Sequence, residues 1–166
     1  MIIRRMQGQG EWACRTIVLA VATPLVAIAC SASAEMLLIN NDGEFMEYAG
    51  TTTLAGVYFT DPSNIEIQDF VCFLPDSDSQ RRLPQDSDVN PVHWMCFSNS
   101  AEARELLGLK EFSHSDSKCL RGSAEVTVGN YRRYVAESEG VSLSELIDVH
   151  QHSEASALPC DVVRSP

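Results

Sequence analysis

The sequence predicts a small, mainly β domain, a barrel of short strands with one or two short helices. Two observations carry this. Apolar, β-branched and aromatic runs recur between turn-rich punctuation from residue 36 to 136. Runs of good helix formers with boundary signals occur only around 101–107 and 142–150.

Met36 to Ile39 is a short apolar run, stopped by the turn composition Asn40-Asn41-Asp42-Gly43. Thr51 to Thr60 is β-branched and aromatic, and Asp61-Pro62-Ser63-Asn64 ends it. Ile65 to Leu74 alternates in its first half and is apolar on both faces in its second, as a buried strand is. Residues 76–91 read as a long polar loop, and Val92 to Phe97 as another buried strand. Ser98-Asn99-Ser100 offers N-caps for a helix over Ala101 to Leu107, with Gly108 as its stop. Ser123 to Val128 alternates, Gly129-Asn130 reads as a turn, and Tyr131 to Ala136 as the returning strand. Ser142 with Glu145 makes a capping box, and Leu143, Leu146, Ile147 and His150 share a helical stripe. From Gln151 the chain is polar and reads as a frayed tail.

Over residues 51–136 the order strand, strand, strand, helix, strand, strand resembles that of an OB-like barrel, with the helix between strands three and four. An SH3-like barrel or a β-sandwich shares the pattern. No repeat and no family motif accompanies it.

The N-terminus has the composition of a bacterial export signal. Arg4, Arg5 and Arg15 form a positive region, Thr16 to Ala29 an apolar one, and Ala32-Ser33-Ala34 a small-residue cleavage site. Fourteen apolar residues make a helix of about 21 Å, short of the roughly 30 Å a membrane core requires, so no transmembrane span is expected. Ala27-Ile28-Ala29-Cys30 resembles a lipobox, although Ala27 stands where Leu is usual. Cys30 is therefore an alternative lipid anchor. The expected organisation is a signal peptide over 1–34, one barrel domain over 35–150 and a polar tail over 151–166. The expected location is periplasmic or secreted, or membrane-tethered through Cys30.

Cleavage after Ala34 leaves 9 basic against 22 acidic residues, a net charge of −13. Such a surface repels phosphate backbones, so nucleic acid is not an expected partner. Four cysteines remain, Cys72, Cys96, Cys119 and Cys160, an even number suited to two structural bridges in an oxidising compartment. Four cysteines allow three pairings. Placement favours Cys72–Cys96 and Cys119–Cys160, because the first two sit in strand-like runs and the second pair would tether the tail.

Chemistry has few footholds. No Gly-x-Ser-x-Gly marks a nucleophile elbow, and no cofactor is expected. Asp76, Asp78, Asp86 and Asp88 open two calcium-loop-like runs. Arg81 and Pro91 then occupy the required glycine position, and Ser87 and Phe97 that of the bidentate Glu. His150-Gln151-His152 on an extended chain would place two imidazoles on one side of it, yet only His93 and His114 remain as further histidine ligands. Tyr131, Arg132, Arg133 and Tyr134 form the expected contact surface. The leading expectation is a non-enzymatic envelope module that binds a protein, peptide or glycan. The alternatives are a small hydrolase or metal-dependent enzyme assembled from residues such as Asp69, His93 and Ser98, and a cation-binding protein using the 76–91 loop.

Overall fold

The computed structural model describes residues 36–85, 94–109, 118–136 and 140–163. They form a mainly β molecule with one seven-stranded sheet. In chain order the elements are β1 (Leu37–Asn41), β2 (Phe45–Thr60), β3 (Cys72–Pro75), α1 (Ser77–Gln80), β4 (Met95–Phe97), α2 (Ser100–Leu106), β5 (Cys119–Tyr134), β6 (Ser142–His152), β7 (Ser156–Leu158) and α3 (Cys160–Val163).

The sheet order is β1-β2-β3-β4-β6-β5-β7, and β5 also pairs with β2. The pairings β2–β3–β4–β6–β5 therefore lead back to β2. All are antiparallel except β4 with β6, which is parallel. Alternating residues of these strands point to opposite faces. One face packs Leu54, Tyr58, Phe73, Met95, Phe97, Val126, Val128, Tyr131 and Leu146 into the main core. The other carries a smaller cluster of Phe59, Ile67, Cys72, Cys96 and Cys119, flanked by Phe70, Leu74, Trp94 and Leu143. Each large side chain so buried contributes about 1.5–3 kcal/mol.

The bridges are Cys72–Cys96 and Cys119–Cys160, the pairing that placement favoured. The first joins residues already opposite one another on β3 and β4. The second ties the C-terminal segment to β5. That segment is no frayed tail, because β7 pairs with β5 from Cys119 to Arg121 and α3 follows.

Three further expectations are corrected. Ile65 to Gln68 is a run of turns, held by Ile67 N–H donating to Asn64 O and Phe70 N–H to Ile67 O. Its alternation is incidental: Ile65 is 83% exposed and Ile67 is buried. Gly129-Asn130 does not turn the chain either. β5 continues through it, with Asn130 in the left-handed region at φ 48°, where the ladder to β2 shifts between Tyr48 and Thr51 and Gly50 stands at φ 111°. This paired irregularity lets Tyr48 and Tyr131 face inward and stack with ring centroids 5.8 Å apart. Finally, 142–150 is strand rather than helix. β6 finds ladder partners on both edges, β4 and β5, which outweigh the local capping-box signal. Its inward positions, Ser142, Ser144 and Leu146, include two serines, which hid the strand alternation. Ser144 is satisfied by donating to Gly129 O at 2.8 Å.

Candidate functional site

Two surfaces stand out. The first lies on the outer face of β2, β5 and β6. Thr52, Leu54, Val126 and Val128 are buried on the inner face, so Thr53 and Thr127 point outward. Their hydroxyls are 3.2 Å apart across the pair. Thr127 Oγ1 is also 2.8 Å from His150 Nε2, and His150 Nδ1 is 3.7 Å from Asp148 Oδ2. One row further along, Ala55 and Glu125 border an open cleft of about 610 Å³. Asp76, Gln151, His152 and Ser153 complete its polar lining. Its walls are tied together. Gln151 donates to Glu125 at 2.9 Å, Ser123 N–H to Ser153 Oγ at 2.9 Å, and the buried Tyr58 hydroxyl to Ser153 O at 2.7 Å. Gly122 leaves room for that tyrosine, since a Cβ there would strike its hydroxyl.

The second surface is the β1 arm. Met36 is buried in the main core and anchors its start. The turn at its end is closed by Asp42 Oδ1, which accepts from Glu44 N–H at 2.9 Å and Phe45 N–H at 2.7 Å. Those bonds hold the Asp42 carboxyl below the usual carboxylate range. Between these anchors Leu37, Leu38 and Ile39 are 64%, 51% and 66% exposed. β1 pairs with β2 along one edge, and no strand among the described residues pairs along the other.

The expected contact surface does not survive as a unit. Tyr131 and Arg133 face inward and are buried, Arg133 donating from Nη1 to Pro84 O at 3.3 Å. Burial pushes the Tyr131 hydroxyl up to about 12. Arg132 and Tyr134 face outward. Arg132 Nε lies 2.9 Å from Glu47 Oε1, its guanidinium sits 4.5 Å over the Phe45 ring, and Phe45 meets Tyr134 edge-on at 5.3 Å.

Asp76 caps α1, accepting from Ser79 N–H at 2.7 Å, and this bond is the main cause of its lowered pKa. Asp78 is ion-paired with Arg81. Both therefore have local structural uses, while Asp86 and Asp88 lie outside the described residues. So do His93 and His114. Of the enzyme candidates, Asp69 is exposed and its charge acts on Arg104, and Ser98 Oγ donates to Ser144 O at 3.3 Å. His150 and His152 do sit on one strand, but the ladder shifts between Glu125 and Val126. His150 consequently meets Thr127, and His152 Nδ1 lies 3.1 Å from Ser153 O beside the cleft. Among the described residues, one trio of metal-ligand types converges: Asp61, Cys119 and Cys160. Both sulfurs are committed to a disulfide, so the trio offers no thiolate.

The Thr127, His150 and Asp148 row was missed in the sequence because reading 142–150 as a helix separates its members. Period-two spacing of Asp148 and His150 was the available signal. No helix among the described residues is long and apolar enough to cross a membrane. Set against known families, curated proteins and solved structures, the chain matches none of them.

Proposed function

We propose that this chain is an exported, acidic binding module on an OB-like barrel, engaging a protein, peptide or glycan of the cell envelope. Supporting the barrel is the strand pairing that leads back to β2, with α2 between the third and fourth strands of the circuit. Two bridges suit an oxidising compartment, as does a leader ending at Ala34 or, by the lipoprotein route, before Cys30. The observation that carries binding is the β1 arm, a fixed strand with apolar side chains exposed on both faces.

A hydrolase is the second reading, favoured by the Thr127–His150–Asp148 row. It has a hydroxyl on Nε2 and a carboxylate toward Nδ1, as an activated nucleophile requires. Against it, the carboxylate is beyond hydrogen-bond reach and both side chains are well exposed, where water competes for every contact. Asp76 in the cleft is a hydrogen-bonded anion with a lowered pKa, the opposite of the raised carboxyl a general acid needs.

One experiment separates the two. The protein, expressed from its full sequence and exported, is given a photo-crosslinking side chain at Leu38, Trp94 or Ile147. It is irradiated in the envelope and assayed in parallel on aryl esters. A binding module gives a discrete adduct from one face and no ester turnover. Turnover lost together in Thr127→Ala and His150→Ala replaces it with the hydrolase.

A further inference from the structure

We infer that the free edge of β1 takes up an extended protein segment by strand addition, one that is apolar at its centre and carries basic residues beside the Asp42–Glu44 turn. The inference rests on the binding-module reading and names its partner. Side chains alternate along a strand, so Leu37 and Leu38 lie on opposite faces, and the ladder to β2 shifts between Leu38 and Asn40, around Ile39. A strand with one buried face shows apolar residues on that face alone. β1 shows them on both, with all five residues exposed. Soluble proteins blunt such edges with Lys, Pro, inward charges, bulges or short strands; Leu37 to Asn41 carries no charge and no Pro, and the one irregularity of this five-residue strand lies around Ile39.

The arm is also held in place before anything binds. Met36 is buried at its start, and Asn40 Nδ2 donates to Glu47 Oε2 at 3.2 Å. Asn41 Oδ1 accepts from Gly43 N–H at 3.0 Å in the turn. An incoming strand thus meets extended backbone that needs no reordering.

Charge selects among occupants. The strand is neutral, while the turn beside it carries exposed Asp42 and Glu44 on a chain of net charge −11. Glu47, the next carboxylate, is already engaged by Arg132. A second copy of this chain would bring its own acidic turn and surface into the contact. An apolar segment with Lys or Arg near one end complements both the strand and the turn.

The probe is an end-blocked peptide, Lys-Ile-Val-Leu-Val-Lys, with Glu-Ile-Val-Leu-Val-Glu as control, added to the exported protein and followed by amide NMR. The expected result is saturable shifts centred on 37–41 with the basic peptide. The acidic one should bind at least about tenfold more weakly at low salt. Glu44→Gln should weaken the basic peptide by about threefold or more, and Leu37→Ser with Ile39→Ser should abolish the shifts while the remaining spectrum keeps its dispersion. Equal binding of the two peptides, shifts elsewhere, or a concentration-dependent dimer through β1 without peptide would overturn the inference. A discrete crosslink from Trp94 or Ile147 alongside no peptide effect on β1 would remove the inference and keep the binding module. No crosslink from any face would remove both.

Discussion

Tyr131 carries the most sequence-invisible property of any residue here. Placed in an arginine-rich run, it reads as surface, yet its ring stacks on Tyr48 and its hydroxyl is buried beside Ser142. Burial raises its pKa from 10.0 to about 12, while the Ser142 hydroxyl and, less strongly, the Arg133 charge work in the other direction. Between those values the unfolded chain has lost the phenolic proton and the native chain retains it. The stability linked to Tyr131 is therefore complete below about pH 10 and declines above it by about 1.4 kcal/mol per pH unit. Tyr58, also raised by burial, acts in the same sense. Urea unfolding of wild type and Tyr131→Phe across pH 9–12 tests this. The variant should lose most of the slope. A slope as steep as that of wild type would mean the hydroxyl is hydrated.

At the scale of elements, the two bridges constrain different things. Cys72–Cys96 closes 24 residues between strands that are already paired, and Cys119–Cys160 closes 41 and holds β7 and α3 on β5. Loop-closure entropy assigns them about 3.5 and about 4 kcal/mol respectively. Their local consequences differ more than these totals. Cys119→Ala with Cys160→Ala should release residues 156–163, seen as rapid amide exchange there while β2 to β6 stay protected. The Cys72 and Cys96 double variant should lower global stability without a local signature. Asn99 shows how far an element's neighbours decide its chemistry. As a helix N-cap it should accept from its own first turn, yet its side chain bonds to β6. Nδ2 donates to Leu146 O at 2.8 Å, and Oδ1 accepts from Leu146 N–H at 2.9 Å.

Across the whole molecule, acidity is the dominant electrostatic fact. The chain carries −11 at pH 7, with 23 acidic residues against 12 basic ones, so self-repulsion opposes compaction. Salt screens that repulsion, and 0.3 M NaCl should raise the melting temperature above its value in 10 mM buffer. The same measurement decides the cation-binding alternative for 76–91. Asp76 and Asp78 are used in a cap and an ion pair, so millimolar calcium should act no more strongly than magnesium at equal ionic strength. A calcium-specific rise that disappears in Asp86→Asn with Asp88→Asn would establish a site.

The amino-acid sequence by itself determined the β-rich class, a turn around Gly43, though Asn40 and Asn41 belong to β1, and a helix read over Ala101–Leu107 and found at Ser100–Leu106, while among three cysteine pairings it only favoured the one the structure makes. The first three rest on short-range chemistry, turn residues and helix formers, whereas the bridges join cysteines 24 and 41 residues apart that only the fold brings together. What only tertiary structure decided is the state of segments whose local preference was balanced. Ser142–His152 carries a capping box and a helical stripe, and two free strand edges made it β6. Gly129-Asn130 suits a turn, and pairing with β2 on both sides of it made it a kink within β5. Those two outcomes place Thr127, Asp148 and His150 side by side and send Tyr131 inward. Backbone hydrogen bonds offered by distant strands outweigh preferences worth less than a kilocalorie per residue, and that is why the candidate surfaces could not be read from the chain alone.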